Sequence, residues 1–154
     1  MSKKIQKFAV FFCGIPASGK STQRNALIQN NEVGHVSMDE IREELTGSIS
    51  DQTRNAEVAK LAMARWKELL QDDVHNICIL DNTNYNRKNR KSFLKIAQDL
   101  DIPCQAFVFN ISLEEAKQRN SNRDIVVPDH VLERMFNGFQ MPTLEEGFVS
   151  VQEV

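Results

Sequence analysis

The stretch Phe8-Ala9-Val10-Phe11-Phe12-Cys13-Gly14-Ile15-Pro16-Ala17-Ser18-Gly19-Lys20-Ser21-Thr22 decides the fold. Phe8 to Cys13 is an apolar run of strand length, and Ser21 to Ile28 reads as a helix. Between them, Gly14 to Ser21 spells G-x-x-x-x-G-K-[ST], the pattern of a phosphate-binding loop. Gly14 and Gly19 let the backbone bend until its N–H groups converge on an anion. The helix N-terminus adds roughly half a positive charge. Lys20 is then expected to reach the β- and γ-phosphates, and the Ser21 hydroxyl to ligate Mg²⁺. Ala17, Ser18, Gly19 and Thr22 complete the expected cradle. By composition alone, about one chain of this length in two hundred would carry the pattern by accident. Strand, loop and helix in the right order make chance rarer still. The expected ligand is ATP or another nucleoside triphosphate, with Mg²⁺.

The 154 residues suggest a single domain, 1–154. Apolar content of 41% and charged content of 26% are ordinary for a globular protein. No apolar run approaches the ~20 residues of a membrane span, so no membrane association is expected. The basic start, Met1-Ser2-Lys3-Lys4, resembles the first part of a signal peptide, but the apolar run after it leads into the phosphate loop and reads as a core strand. Cys13, Cys78 and Cys104 fall in or beside predicted strands and match no zinc spacing. Buried reduced thiols fit a cytoplasmic location. A net charge of −2 excludes a duplex-coating protein and leaves a short nucleic acid or a small anion as partner.

Around the loop, strands are predicted at 7–13, 35–37, 76–80, 104–109 and 148–154. Helices are predicted at 20–29, 39–45, from a cap at Ser50 or Asp51 to about Asp72, at 87–100, after the capping-box signature Ser112–Glu115, and from Pro128 to about Phe139. The long helix carries a stripe of Val58, Leu61, Ala62, Arg65, Trp66 and Leu69. Alternating strands and helices imply an α/β fold: a five-stranded parallel sheet of the P-loop NTPase type with helices on both faces. A small helical lid is expected at about 119–140.

Ile77-Cys78-Ile79-Leu80-Asp81 is a buried strand ending in an acid, near the place where such folds keep a metal-supporting carboxylate. Asn82, Thr83 and Asn84 follow at the carboxyl end, where ligands sit; Asn and Asp also terminate strands as turn residues. Asp39 follows a short strand and precedes Arg42 by three residues, so the two share a helix face. A carboxylate there can take the proton of an attacking hydroxyl while Arg42 holds a neighbouring anion. The alternative makes Asp39 a helix cap and Arg42 a solvated charge, with Glu40 and Glu43 as competing carboxylates. Arg119 and Arg123 stand four apart before an irregular stretch, suited either to closing over a triphosphate or to complementing a helix dipole. Tyr85 can stack on a base but more readily packs locally, and Trp66 reads as core.

Taken in order, Gly14–Thr22, Ser37-Met38-Asp39-Glu40-Ile41-Arg42, Leu80-Asp81-Asn82-Thr83-Asn84, Arg119-Asn120-Ser121-Asn122-Arg123 with Val127-Pro128, and Pro142–Phe148 resemble the P-loop kinases typified by the kinase domain of polynucleotide 5′-hydroxyl kinase. The resemblance implies that Asp39 is the general base for the acceptor's 5′-hydroxyl, Arg42 the holder of its 3′-phosphate, and Arg123 a lid arginine on the ATP phosphates. Asp81 and Asn82 fall beside the family's acidic position. The phage-type enzyme has an acid directly before Thr-Asn, where this chain has Asn82. No Asp-x-Asp-x-Thr signature occurs and the chain ends at the fifth strand, so a coupled 3′-phosphatase is not expected.

The expected activity is transfer of the γ-phosphate to the 5′-hydroxyl of single-stranded or end-exposed DNA or RNA. The expected assignment is catalytic Asp39, Lys20 and Arg123; ATP-binding Gly14, Ala17, Ser18, Gly19, Lys20, Ser21, Thr22, Arg119 and Arg123; acceptor-binding Arg42, Asn82, Thr83 and Asn84; and metal-supporting Ser21 and Asp81. A kinase of a small hydroxylated metabolite, antibiotic or nucleotide sugar is the next reading. A nucleotide-dependent switch or ATPase with a protein partner is third, because it has no need of the Asp39–Arg42 pair.

Overall fold

A computed structural model describes residues 5–30 and 32–154; the basic stretch at 1–4 lies outside them. Five parallel strands form one sheet in the order β2-β3-β1-β4-β5. They are β1 Phe8–Cys13, β2 Val33–Ser37, β3 Ile77–Asp81, β4 Cys104–Val108 and β5 Ser150–Glu153. The helices are α1 Lys20–Leu27, α2 Met38–Thr46, α3 Asn55–Gln71, α4 Arg87–Asp99, α5 Leu113–Ser121 and α6 Asp129–Asn137. A short 3-10 turn, Leu144–Glu146, precedes β5.

The central strand β1 is buried on both faces, as its unbroken apolar run requires. Alternation assigns its side chains. Ala9, Phe11 and Cys13 face α3 and α4, whereas Val10 and Phe12 face Leu27 and Ile28 beside α1. Trp66 is fully buried against Phe11, edge to face with ring centroids 5.6 Å apart, and its indole N–H donates to the Phe93 carbonyl. Every strand runs the same way, so all the carboxyl ends share one edge. The register sets Phe12 and Ser37 opposite Asp81, and Cys13 opposite Val108. Gly14, Met38, Asn82 and Phe109 therefore leave the sheet side by side, though they are far apart in the chain.

Several boundaries differ from expectation. The long helix begins at Asn55, not after Ser50 or Asp51. The Asp51 carboxylate accepts from the Thr53 N–H and hydroxyl instead, closing a turn that postpones the helix. Arg65 leaves the buried stripe, exposed enough to pair with Glu44, while Leu70 joins it. Only half of the capping box at Ser112 forms: Ser112 accepts from the Glu115 N–H, but the Glu115 carboxylate turns to Arg119. β5 is shorter than expected and starts two residues later, because Phe148 is drawn into the main core.

The three thiols are free and buried; burial pushes Cys13 and Cys104 up to about 12 and Cys78 to about 11. Among the described residues, no helix is long and apolar enough to cross a membrane.

Candidate active site

The loop from Gly14 to Lys20 is anchored at its start and open at its centre. Gly14 N–H donates to the Thr83 carbonyl at 2.8 Å, tying the loop to the segment after β3. A side chain at Gly14 would collide with the Ser18 hydroxyl at 2.7 Å and with Phe109 at 3.1 Å. Gly19 has φ +104°, and Ala17 is also left-handed at φ 68°. A non-glycine residue in that region is strained by about 1–2 kcal/mol, so surrounding packing holds the loop in shape. Among the described residues, the N–H groups of Ala17, Gly19, Lys20 and Ser21 meet no protein acceptor, and the buried Ser18 hydroxyl has no partner at all. Backbone donors left free on successive loop residues at a helix N-terminus suit an anion.

Lys20 ends that loop. Its ammonium donates to the Gly14 carbonyl at 2.6 Å and the Ile15 carbonyl at 2.9 Å. Burial pushes it down to about 8; Asp81 and Asp39 pull it up, and the charge of Arg123 opposes them. Arg123 is thus close enough to be felt at Lys20, and among the described residues it has no ion-pair or side-chain hydrogen-bond partner. Arg119 lies nearby, its guanidinium 3.8 Å from where a Gly19 side chain would begin, but it is half-exposed and paired with Glu115 at 2.8 Å. Arg119 precedes, and Arg123 lies within, a segment that Asn120 braces against Val127. That amide is 1% exposed, donates to the Val127 carbonyl at 2.6 Å and accepts from the Val127 N–H at 3.0 Å. Asn120 stood in the resembling block with no role assigned. Its two-sided use needs Val127, seven residues on.

On the other flank, Ser37 caps α2 by accepting from the Glu40 N–H, so Asp39 is not the cap. Asp39 keeps 65% of its side chain exposed and accepts from the Arg42 guanidinium at 2.8 Å. Arg42 is buried, with Nε donating to Asn55 at 3.2 Å. It is therefore no solvated charge, and it steadies Asp39. Asn82 accepts from the Met38 N–H at 3.0 Å, which holds the first turn of α2 to the end of β3.

Two expectations for the segment after β3 change. Asn84, expected to bind the acceptor, is 2% exposed with φ 45°, and its amide donates to the Phe12 and Leu80 carbonyls. It is a buried pin for the turn, its amide spent on backbone carbonyls. Thr83 contributes through its backbone carbonyl, which receives Gly14. Tyr85 packs locally: its ring lies 3.6 Å from where a Gly138 side chain would begin, and its carbonyl accepts from Gln140.

Asp81 is 8% exposed; burial raises its pKa, while Arg24 and Lys20 pull it down. Arg24 donates to Asp81 Oδ2 at 2.9 Å and pairs with Glu40 at 3.1 Å. Arg24 escapes a reading by motif because it lies 57 positions from Asp81. Arg90 was missed for the same reason. Fully buried, it forks onto Glu146 at 2.8 and 3.1 Å and donates to the Asn84 and Gln140 carbonyls. No cluster of three or more His, Cys, Asp or Glu side chains suited to a metal occurs among the described residues. Mg²⁺ does not require one, since it keeps waters and uses one or two protein oxygens plus phosphates. Among the described residues Asp81 Oδ1 has no hydrogen-bond partner, and Ser21 is exposed, so the donor set fits.

Cavities open on the surface among the described residues. One of about 260 Å³ lies between β2, α2 and α3, lined by charged side chains including Glu40, Arg65 and Asp72. Another of about 170 Å³ adjoins the phosphate loop at Gly14 and Ile15.

The family profile of the AAA domain matches residues 10–142. The chain is 29% identical over 150 residues to the bifunctional polynucleotide phosphatase/kinase of Schizosaccharomyces pombe; the match covers 94% of this chain and 33% of that protein, so the chain spans about a third of that relative's length. Kti12 of Chaetomium thermophilum, solved in complex with ADP-AlF3, superposes with a TM-score of 0.70 at 15% identity, covering 95% of this chain and 88% of that one. A gluconokinase from Sinorhizobium meliloti superposes with a TM-score of 0.62 at 15% identity, covering 99% and 83%. The last two show a shared fold.

Proposed function

The chain belongs to the AAA-domain family of P-loop kinases, and from that premise we propose that it moves the γ-phosphate of ATP, or another nucleoside triphosphate, to the 5′-hydroxyl of a DNA or RNA end. The observation that carries this is the Asp39–Arg42 pair, an exposed carboxylate held at 2.8 Å by a buried arginine on the same sheet edge as the phosphate loop. A nucleotide switch needs no such acceptor site. The choice of a polynucleotide over a small alcohol is supported by the relative at 29% identity; the shared fold is neutral, since a gluconokinase has it too.

In this reading the triphosphate lies against the free N–H groups of the loop, with Lys20 leaving the Gly14 and Ile15 carbonyls for the β- and γ-phosphates. Gly14, Ala17, Ser18, Gly19, Ser21 and Thr22 shape that cradle. The segment from about 119 to 140 acts as a lid, with Arg123 and Arg119 on the phosphates. Asp39 accepts the proton of the 5′-hydroxyl as its oxygen attacks the γ-phosphorus; the bond from that phosphorus to the β–γ bridging oxygen breaks, and the nucleoside diphosphate leaves. Arg42 steadies Asp39 and, with Asn82, faces the acceptor, while the Thr83 carbonyl holds the start of the loop. Ser21 and Asp81 would hold Mg²⁺, which neutralises charge on the β- and γ-oxygens.

The test is labelled γ-phosphate transfer to an oligonucleotide with a free 5′-hydroxyl, to a nucleoside and to small polyols. Transfer to the oligonucleotide is expected, with Asp39→Asn losing turnover by about 10²–10⁴-fold while triphosphate binding persists. Transfer confined to polyols would establish the small-molecule reading; hydrolysis indifferent to acceptor would establish the switch.

A further inference from the structure

We propose that Arg24 and Glu40 are positioning residues for the cation carboxylate: Arg24 fixes Asp81 by one oxygen, and Glu40 offsets the charge that Arg24 brings. The inference rests on the assignment of Asp81 to Mg²⁺ above. The three side chains come from α1, β3 and α2. Arg24 stands four residues after Lys20, hence on the same face of α1 and one turn further from the loop. Asp81 ends β3, and alternation puts its side chain with that of Ile79 on the α1 side of the sheet. A single nitrogen of Arg24 serves both carboxylates. Its Nη1 donates to Asp81 Oδ2 at 2.9 Å and lies 3.1 Å from Glu40 Oε1. Its Nε and Nη2 turn to the neighbouring Asn25.

This arrangement divides the Asp81 carboxylate. Oδ2 is taken by Arg24, while Oδ1 has no hydrogen-bond partner among the described residues. A carboxylate held by one oxygen presents the other in a fixed direction, which is the work of the outer partners of metal-binding carboxylates. The setting gives the contact weight: the side chains of Arg24 and Asp81 are only 16% and 8% exposed, so solvent screens them little.

Charge decides the part of Glu40. A guanidinium set against a carboxylate that must hold a divalent cation repels that cation. Glu40 meets the same Nη1, so one positive charge is shared between two carboxylates and a negative balance remains for the cation. Glu40 is in turn fixed at its second oxygen, with His35 Nε2 at 2.9 Å from Oε2. A clamp between elements has no need of this triad. The end of α1 is already held by Leu27 and Ile28 in the apolar cluster of Phe12 and Ile79, and the first turn of α2 by the bond from the Met38 N–H to Asn82.

The experiment follows binding of a non-hydrolysable triphosphate analogue to the full chain by calorimetry, once with Mn²⁺ and once with EDTA. The ratio of the two affinities is the gain due to the cation. The native chain should show a gain, and Asp81→Asn should lose most of it. Arg24→Met should shrink it by about tenfold or more, the scale of losing an outer partner of a metal ligand. The sign is decisive, because removing a positive charge without loss of position would raise the gain. Arg24→Lys keeps a point cation, which is what Nη1 supplies to the two carboxylates, and should retain most of the native gain. Glu40→Gln keeps size at a half-exposed position, leaves the whole charge of Arg24 on Asp81, and should also shrink the gain. If Arg24→Met fails to fold, the last two variants carry the test. An unchanged or larger gain in Arg24→Met would make Arg24 a clamp and overturn the proposal, as would a native gain in Glu40→Gln or equal weakening with Mn²⁺ and with EDTA. A native gain in Asp81→Asn would overturn the Mg²⁺ assignment and this inference together. Loss in Asp81→Asn with native gains in Arg24→Met and Glu40→Gln would overturn this inference alone.

Discussion

Arg119 and Arg123 are equivalent to any reading by spacing, yet their surroundings differ. Arg119 is bound to Glu115 at 2.8 Å and must leave that carboxylate to meet a phosphate. Arg123 has no ion-pair partner among the described residues and its charge already bears on Lys20. Arg123→Ala is therefore expected to reduce turnover by about 10²–10³-fold, as removal of a donor to developing charge does. Arg119→Ala should cost much less. Steady-state rates at saturating triphosphate check both; equal losses would show that the Glu115 pairing does not discriminate. What was legible at this scale was local. Gly14 to Ser21, and Asp39 with Arg42, are patterns within one turn or one loop. Arg24 with Asp81, and Arg90 with Glu146, join positions 57 and 56 apart. Periodicity reports that a side chain is inside and is silent on which distant partner receives it.

Each flank of the site is an element held by one asparagine, and the two asparagines work differently. Asn82 only accepts, from the Met38 N–H that opens α2. A carboxylate oxygen does that equally well. Asn120 donates and accepts against one residue, Val127, in a buried setting. An aspartate there would set a charge against the Val127 carbonyl. Asn82→Asp keeps that acceptor oxygen and is expected to keep stability and donor KM near native. Asn120→Asp should destabilise by about 1–3 kcal/mol, the cost of an unmet buried group, and weaken use of the triphosphate through Arg123. Urea unfolding and donor KM measure the contrast; tolerance at both positions would mean that the 121–127 segment needs no brace. Element identity was legible because β1 is an unbroken apolar run and α3 repeats its apolar residues at helical spacing. The ends were not. The α3 start depends on an Asp51–Thr53 turn that competes with the helix, and the end of β5 on Phe148 being captured by the core.

The sheet brings the loop and α2 to one edge, but the chain after α6 is secured from below, through Arg90. This guanidinium is 0% exposed and bonds the turn at Asn84, the segment at Gln140 and the carboxylate of Glu146. One side chain thereby ties β3's exit, the approach to β5 and α4 together. Burial works against ionisation of Glu146, yet the Arg90 fork and the Thr143 N–H overcome it and hold its carboxyl below the ordinary 4.5. Asp72 is held below its ordinary 3.8 in the same way: against partial burial stand the His75 N–H and the Lys7 ammonium at 2.8 Å. A carboxylate with a depressed folded-state pKa binds fewer protons folded than unfolded, so its contribution is complete above the unfolded value. It fades as pH falls below about 4.5 for Glu146 and about 3.8 for Asp72. Stability should therefore be flat near neutrality and drop with acid. Glu146→Gln leaves the buried guanidinium without its charge partner and is expected to cost about 3–5 kcal/mol at pH 7, a large part of the ~5–15 kcal/mol that holds a protein folded. The same variant has no carboxylate left to protonate at this position, so its stability should fall less steeply than native below pH 4.5, and the two curves should converge. Arg90→Met, which removes the buried cation and leaves Glu146 the Thr143 N–H at 2.9 Å and the Arg87 guanidinium at 3.7 Å, should cost less than Glu146→Gln. Urea unfolding of the three proteins from pH 7 to pH 3.5 decides it: parallel curves for native and Glu146→Gln would mean that the Arg90 fork is not what links the fold to acid.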